Sequence, residues 1–307
     1  MHVLILGAGA LGSLLGARLL RTDARLTLLS TNQEHMQAIG ARGLLVEELD
    51  GSLKHFQFAA AVSDPGDVRG AVDVVLVTVK TYDTEPAISS VRGCCHGATI
   101  FLTLQNGIGN GERIAEMVGP GAVLLGTTAQ GATFLESGRI RHGGNGPTFI
   151  GEPVGPPTDR VHSLVELFSR AGLVTQASGE MEMLVWKKLL INVGINAITG
   201  LTGIRNGVVA DLEAARNLCR AAVEEAMLVA RAKGSPVATD MVQQVLEVAR
   251  ATAQNRSSMG QDVDFSQRTE IEAINGAIVR FAEALGIPTP VNRTLTQLIQ
   301  IVEACQK

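Results

Sequence analysis

Aromatic residues are scarce in this 307-residue chain, where phenylalanine, tryptophan and tyrosine together make up 3% of the sequence. A protein that binds single-stranded nucleic acid stacks bases on aromatic rings, and that platform is missing here. An excess of positive charge is missing too, because the formal net charge is −4. We therefore expect neither nucleic acid nor an anionic membrane surface as a partner.

Metal-binding cysteine patterns are also absent. Cys94, Cys95, Cys219 and Cys305 form no C-x-x-C pair and have no histidine partner at ligand spacing. No metal site is expected. The adjacent Cys94 and Cys95 are either a redox pair or two ordinary thiols of a reducing cytosol, and the second interpretation is favoured.

Two uncharged runs stand out in the sequence, and neither of them predicts a membrane segment. Residues 3–17 carry no charge but lack a basic leader region and are glycine-rich, which argues against a signal peptide. The run Leu189–Ile204 contains two asparagines and three glycines, so it is too short and too polar to span a bilayer. The expectation is a cytoplasmic protein.

A glycine motif near the start lies in the context that dinucleotide binding requires. A short apolar strand, His2–Leu6, leads into it, a helical pattern over Ser13–Leu20 follows, and a second strand is predicted at Leu26–Leu29. The motif reads Gly7, Ala8, Gly9, Ala10, Leu11 and Gly12. Such glycines let the backbone approach a pyrophosphate at a helix N-terminus, which we favour over a purely structural turn.

The following region predicts more of an α/β sheet. Residues 43–46 and 56–58 indicate a hairpin insertion, and buried strands over 72–79 and 98–104 end at Lys80 and just before Asn106. Ligands collect at the carboxyl ends of parallel strands, which places Lys80 and Asn106 near a cofactor or substrate. Alternatively, Lys80 is a solvated loop residue and Asn106 belongs to an ordinary turn.

A change of pattern near Ala177 predicts two domains. Residues 122–152 favour strands around Leu124, Thr133, Ile140 and Phe149, and a helix (158–170) and a strand (173–176) follow. After residue 177 the pattern is helical, over residues 181–198, 211–233, 237–253, 270–285 and 291–305. The sequence thus predicts a Rossmann domain over 1–177 and an all-helical domain over 178–307.

The first helix of the second domain carries a polar line on an apolar cylinder. Lys188, Asn192 and Asn196 follow one another at four-residue spacing and therefore share one face. Buried polar groups need partners, and a substrate carboxylate or carbonyl would serve. The alternative is a polar contact between two helices, satisfied by neighbouring side chains.

Histidine is lacking where many dehydrogenases use it, because all six histidines precede the helical domain. Lys188 is the proton donor that remains for a carbonyl oxygen, since burial lowers a lysine pKa toward the useful range. We expect the active site in the cleft between the two domains. The loop 255–263 has hydrogen-bond donors that suit a small carboxylate; alternatively, it is an ordinary polar loop between two helices. Glu270 either has a role in the site or is an acidic residue in the first turn of a helix, where the helix dipole favours it.

The sequence resembles the ketopantoate reductase (2-dehydropantoate 2-reductase) family nearly from end to end. The specific motifs are Val79-Lys80, Asn106-Gly107, Trp186-x-Lys188-Leu189, Arg205-Asn206-Gly207, Asn255-x-Ser257-Ser258-Met259 and Thr269-Glu270-Ile271. The resemblance implies a Rossmann domain and a helical domain like the C-terminal domain of 6-phosphogluconate dehydrogenase. It also implies NADPH as cofactor and a small 2-keto acid as substrate.

Residue by residue, the resemblance implies Lys188 as the proton donor. The substrate would be held by Lys188, Asn192, Asn196, Asn206, Ser258, Asn255 and Asn106. Beyond the glycine motif, the cofactor would be contacted by Lys80, Asn106, Ala132 and Glu270. One position departs from the pattern: Thr31 stands where the family commonly has an arginine for the 2′-phosphate.

The expected reaction is NADPH-dependent reduction of ketopantoate to pantoate, on the way to pantothenate and coenzyme A. Two alternatives remain open, namely reduction of another 2-oxo acid on the same scaffold and a non-catalytic NADP-binding sensor. The polar line of Lys188, Asn192 and Asn196 argues against the sensor, which would not need a proton donor. The helical domain can supply an apolar face for a homodimer.

Overall fold

The computed structural model describes residues 1–306, and the chain divides into two compact units. The first unit comprises Met1–Gln105 and Gly109–Met181. The second comprises Asn106–Ile108 and the chain from Glu182 onward. The domain boundary predicted near Ala177 stays a prediction, and the two compact units meet in the sequence at Met181 and Glu182.

The first unit is built on one mixed sheet of ten strands. They are β1 (His2–Leu6), β2 (Arg25–Leu29), β3 (Leu44–Glu47), β4 (Leu53–Phe56), β5 (Ala61–Val62), β6 (Val72–Val77), β7 (Cys95–Thr103), β8 (Val123–Glu136), β9 (Arg139–Gly151) and β10 (Thr175–Ala177). The order is β4-β3-β9-β8-β7-β6-β1-β2-β5, with β10 paired to β9. Only the pairs β3–β4 and β8–β9 are antiparallel. The run β8-β7-β6-β1-β2-β5 is the Rossmann order. The predicted hairpin insertion is confirmed as β3–β4, although its second strand is Leu53–Phe56 and not residues 56–58.

Helices cover both faces of this sheet. They are α1 (Ala10–Leu19), α2 (Gln33–Arg42), α3 (Thr84–Val91), α4 (Asn110–Val118) and α5 (Asp159–Arg170). Strand β1 shows why two layers are needed, because successive side chains point to opposite faces. Val3 and Ile5 join the apolar cluster under α1 and α5, whereas Leu4 and Leu6 join the one under α3 and α4.

The segment 122–152 differs from its prediction. The four strand-like stretches form two long strands, β8 with 14 residues and β9 with 13. Their register shifts at three places, between Thr128 and Gln130, between Gly131 and Ala132, and between Phe134 and Glu136. The glycines that suggested breaks in the sequence lie within the ladder, where bulges accommodate them.

The second unit contains seven helices and no strand among its described residues. They are α6 (Met181–Thr202), α7 (Asn206–Asp211), α8 (Glu213–Ala232), α9 (Met241–Ala251), α10 (Ser258–Asp264), α11 (Asn275–Leu285) and α12 (Pro290–Cys305). The helix predicted from residue 270 begins at Asn275 instead, because Ile271–Ala273 form a separate 3-10 turn and Ile274 is non-helical. Most of the loop predicted over 255–263 belongs to α10, which begins at Ser258 and ends at Asp264.

Helix α6 is the centre of the second unit's core. Trp186, Leu189, Leu190 and Val193 are each at most 1% exposed and lie in its apolar cluster. The helix begins eight residues before the uncharged run Leu189–Ile204, and the whole helix, unlike that run, is long and apolar enough to cross a bilayer. However, 61% of the apolar stretch of this helix is buried inside the fold, as is typical of a core helix.

Candidate functional site

The glycine motif lies in the turn between β1 and α1, as predicted. Gly7 has φ +100°, and a Cβ there would lie 2.4 Å from the backbone nitrogen of Val79. A Cβ on Gly12 would lie 2.4 Å from the Gly7 oxygen. Gly9, by contrast, has nothing within 4 Å of its Cβ position. The fold itself requires the outer two glycines, whereas the middle one leaves open space at the N-terminus of α1.

The turn after β2 presents hydrogen-bond donors. The Asn32 Oδ1 accepts a hydrogen bond from the His35 amide at 3.0 Å and caps α2. The Ser30 Oγ accepts from the Asn32 amide at 3.3 Å. The groups left over are the Asn32 amino group, the Ser30 hydroxyl hydrogen and the exposed side chain of Thr31. Residues 30–32 include no lysine or arginine, and the role of Thr31 in cofactor binding stays a prediction.

Lys80 follows β6 at the carboxyl end of the sheet and is partly buried, not fully solvated. Its turn is held by Gln105, a residue for which the sequence pattern predicts no role. The Gln105 Nε2 donates to the Val79 oxygen at 3.0 Å and to the Thr84 Oγ1 at 2.8 Å. Only its place next to Asn106 could have pointed to it.

The polar line on α6 is present as predicted. Lys188 and Asn192 are partly buried, Asn196 is 4% exposed, and Lys187 is exposed. Burial lowers the Lys188 pKa to about 8, while the negative charge of Glu270 acts in the opposite direction. Among residues 1–306, no carboxylate oxygen lies within 4 Å of the Lys188 Nζ, and Lys188 and Asn192 make no side-chain hydrogen bond. The face therefore keeps a cation and an amide for a ligand.

Asn196 and Ser258 are brought together across α6 and α10. The Asn196 Nδ2 donates to the Ser258 Oγ at 3.4 Å. Ser257 caps α10 by accepting from the Gly260 amide at 2.9 Å, and its hydroxyl lies 2.6 Å from the Thr199 hydroxyl. Thr199 has acceptors in the backbone of its own helix, so Ser257 is the donor to Thr199. This short bond fixes the first turn of α10 against α6.

Arg256 does not offer its guanidinium to a ligand, although the loop was predicted to suit a carboxylate. The Nε and Nη2 atoms donate to Asp264 at 2.7 and 2.8 Å, and Nη1 donates to the Thr199 oxygen at 2.5 Å. A cation at the last carbonyls of α6 is favourable there. Arg256 is therefore a structural clasp, and the prediction that its loop supplies carboxylate donors does not hold for this residue.

Asn206 and Asn255 also come together, at the start of α7. The Asn206 amide donates to the Asn255 oxygen at 3.0 Å, and the Asn206 Nδ2 donates to the Thr252 Oγ1 at 3.0 Å. Asn206 is 8% exposed, yet its Oδ1 is buried and accepts no hydrogen bond within the described chain. A buried acceptor without a partner is rare and marks a place for a donor from a ligand or water.

Asn106 and Glu270, which are 164 positions apart, form a contact within the second unit. The Asn106 Nδ2 donates to the Glu270 Oε2 at 3.1 Å. Gly107 has φ +82°, and a Cβ there would lie 2.6 Å from the Ala273 oxygen. Glu270 is 6% exposed and precedes the 3-10 turn, so it is not a first-turn acid of α11.

The predicted site residues thus fall into two groups. The first unit holds the glycine motif, Thr31, Lys80 and Ala132, the last beside a register shift in β8. The second unit holds Lys188, Asn192, Asn196, Asn206, Asn255, Ser258, Asn106 and Glu270. Direct pairings among these residues include Asn196 with Ser258, Asn206 with Asn255, and Asn106 with Glu270.

The adjacent thiols show no sign of activation. The Cys94 and Cys95 Sγ atoms both lie near the Val91 oxygen, at 3.0 and 3.2 Å. Burial is the main cause that raises the Cys95 pKa to about 12. A thiol with a raised pKa is a poor nucleophile, because the reactive form is the thiolate.

Two family models match the chain. The one described as ketopantoate reductase PanE/ApbA covers residues 3–155, and the one described as ketopantoate reductase PanE/ApbA C terminal covers residues 180–303. The 2-dehydropantoate 2-reductase of Halobacterium salinarum is 40% identical over 303 residues, covering 99% of both chains. That of Vibrio cholerae is 31% identical over 99% of this chain and 98% of its own.

Solved structures give the same picture for the fold. A PanE/ApbA family ketopantoate reductase from Ralstonia eutropha matches with a TM-score of 0.90 and 32% identity, covering 100% of this chain and 99% of that one. A D-mandelate dehydrogenase in complex with NADH and anilino(oxo)acetate matches with a TM-score of 0.91. Because the two sequences are only 24% identical, this match shows a shared fold and nothing more.

Proposed function

Because this chain belongs to the ketopantoate reductase family, whose members are oxidoreductases, we propose that it reduces ketopantoate to (R)-pantoate with NADPH. This is a step on the way to pantothenate and coenzyme A. The observation that carries the proposal is the polar face of α6. Lys188 presents a partly buried ammonium with no carboxylate of residues 1–306 within 4 Å, in line with Asn192 and Asn196.

The residues of the first unit fit a nicotinamide dinucleotide. Gly9 leaves a Cβ-sized space at the N-terminus of α1, and α1 has no acidic residue in its first turn. Amides at a helix N-terminus and the macrodipole favour an anion such as a pyrophosphate there. When bound, the nicotinamide supplies the hydride for the keto carbon.

The residues of the second unit suit the other half of the reaction. We assign Lys188 to hydrogen-bond the keto oxygen, to stabilise the negative charge that develops on it, and to donate the proton. Asn192, Asn196 and Ser258 would hold the carboxylate end of the substrate through amide and hydroxyl hydrogens. The unpaired Oδ1 of Asn206 suits a donor, such as a hydroxyl group of the substrate.

The test is NADPH oxidation by the purified protein with a panel of 2-oxo acids. We expect turnover of ketopantoate on the order of 1–100 per second, an ordinary enzymatic rate. A clearly higher kcat/KM for another 2-oxo acid would keep the chemistry and change the substrate. Absence of oxidation of both NADPH and NADH with every acid would remove the proposal.

The pH dependence of reduction should follow Lys188. Because Lys188 must be protonated to act as an acid and its pKa is lowered to about 8, kcat/KM should be flat below that pH and fall above it. Oxidation of pantoate should show the opposite limb. In Glu270→Gln the fall should begin at a lower pH, since the Glu270 charge raises the Lys188 pKa. If the fall in kcat/KM occurs at the same pH in Glu270→Gln as in the wild type, the group that titrates is not Lys188.

Cofactor preference is expected to be modest. The turn after β2 offers neutral donors, and Glu34 in the first turn of α2 adds a negative charge nearby. A hydrogen bond to a charged acceptor contributes about 1.5–3 kcal/mol, so NADPH should be preferred by tens of fold, not thousands.

Thr31→Arg tests this placement. The new cation should widen the preference for NADPH, measured as the ratio of kcat/KM for NADPH and NADH. Ser90→Arg is the control, because Ser90 is exposed on α3. A wild-type preference for NADH would mean that these donors bind the ribose. Equal ratios in wild type and Thr31→Arg would mean that the phosphate lies elsewhere.

A further inference from the structure

A fully buried histidine stands between the elements to which the dinucleotide is assigned. His35 is 0% exposed and lies in the first turn of α2, within the first unit. Its ring contacts Phe134, with ring centroids 4.9 Å apart. Nothing assigned above uses its imidazole.

The hydrogen bonds of the imidazole have only one consistent direction. The Gly138 amide can only donate, so the His35 Nδ1, at 2.9 Å, is an acceptor. The Nε2 of this neutral ring therefore carries the hydrogen and donates to the Ser13 Oγ at 3.0 Å. The Ser13 hydroxyl in turn donates to the Ala8 oxygen at 3.1 Å. The chain of bonds runs from Gly138 through His35 and Ser13 to Ala8.

The ring is confined to this neutral tautomer. Protonation of Nδ1 would place its hydrogen against the Gly138 N–H, leaving two donors face to face. Burial also lowers the His35 pKa to about 4, so the ring is neutral over the working range of most enzymes. The imidazole is therefore a fixed spacer with one acceptor side and one donor side.

The bonds reach both ends of the expected dinucleotide contact. Ala8 lies between Gly7 and Gly9, so the last bond ends on the glycine motif itself. The His35 amide donates to the Asn32 Oδ1, which holds the turn after β2. The imidazole thus reaches the motif assigned to the pyrophosphate through Ser13, and the backbone amide of the same residue holds the turn assigned to the 2′-phosphate.

We propose that His35 is a positioning residue for the cofactor, which sets the glycine motif and the turn after β2 in the geometry that binds NADPH. The inference rests on the proposed use of a nicotinamide dinucleotide. Its effect should appear in cofactor affinity, whereas kcat at saturating cofactor should stay near the wild-type value, because His35 does not touch the reacting atoms.

Three substitutions separate the two sides of the ring. His35→Gln can keep the donor toward Ser13, His35→Asn can keep the acceptor toward Gly138, and His35→Phe keeps neither. Ser13→Ala removes the middle of the bond chain. The control is His162→Gln, because His162 is exposed on α5.

The measurement is the Kd for NADPH by fluorescence titration of the full-length protein, together with kcat, KM for the keto acid and Tm. We expect the Kd to rise on the order of tenfold in His35→Phe, His35→Asn and Ser13→Ala, as for loss of a buried hydrogen bond. It should rise clearly less in His35→Gln and stay unchanged in His162→Gln. If His35→Phe does not fold, His35→Gln and His35→Asn carry the comparison.

Several results would overturn the proposal. A lower Tm with an unchanged Kd would make His35 purely structural. A larger loss of NADPH affinity in His35→Gln than in His35→Asn would show that the bond to Ser13 does not position the glycine motif. If the wild-type protein does not bind NADPH, the proposal that His35 positions the cofactor site is wrong. If wild type binds NADPH but reduces no 2-oxo acid, while the variants lose affinity as expected, the proposed reaction fails and the role of His35 stands.

Discussion

Lys188→Ala is expected to lower kcat by roughly 10²–10⁴-fold, while NADPH still binds with nearly wild-type affinity. The variant loses the ammonium that polarises the keto oxygen and delivers its proton. It loses none of the first-unit contacts assigned to the cofactor. Steady-state kinetics with ketopantoate and a fluorescence titration with NADPH measure the two quantities separately.

The neighbouring lysine is the matched control for this experiment. Lys187 differs by about 100° around the helix axis, and its side chain is exposed. Lys187→Ala removes the same charge from the same helix and should change kcat by less than about twofold. Equal losses in the two variants would show that the wrong lysine has been assigned.

Gly7→Ala is expected to destabilise the protein by about 2–5 kcal/mol, the sum of a positive-φ penalty and overpacking. Its Cβ would lie 2.4 Å from the Val79 nitrogen and 2.8 Å from the Thr78 carbonyl carbon, and these backbone atoms cannot move without distorting the sheet. Thermal or denaturant unfolding measures the loss.

Gly9→Ala should behave in the opposite way. Its Cβ meets nothing within 4 Å, and φ at Gly9 is −79°, so stability should change by less than about 1 kcal/mol. The methyl group would nevertheless fill the space that we assign to the pyrophosphate, and the Kd for NADPH should rise at least about tenfold. Normal NADPH binding by Gly9→Ala would place the phosphates elsewhere.

The elements that were predicted correctly are those whose sequence patterns lie within a short stretch of the chain. The β1-turn-α1 unit follows from an apolar run, glycines at fixed spacing and a helical period. The line of Lys188, Asn192 and Asn196 follows from four-residue spacing alone. Helices α7 and α10 were missed because six and seven residues are too few to show a period.

Long-range partners could not be predicted from spacing. The bond between Asn106 and Glu270 joins residues 164 positions apart, and no pattern along the chain announces it. Arg256 illustrates the opposite error. It lies in the loop whose donors were predicted to suit a carboxylate, but its guanidinium is used by Asp264 and the end of α6, and only their positions in the fold reveal this.

Residues Asn106–Ile108 lie within the first half of the sequence but belong to the second unit, and this limits where the protein can be divided or recombined with a relative. A fragment that starts at Met181 would contain all seven helices α6–α12, yet it would leave Glu270 without its Asn106 partner and Ala273 without the close-packed Gly107. Swapping the second half between relatives at a single junction would likewise pair these three residues with a foreign sequence. A chimera that retains native packing has to carry residues 106–108 along with the helices they belong to.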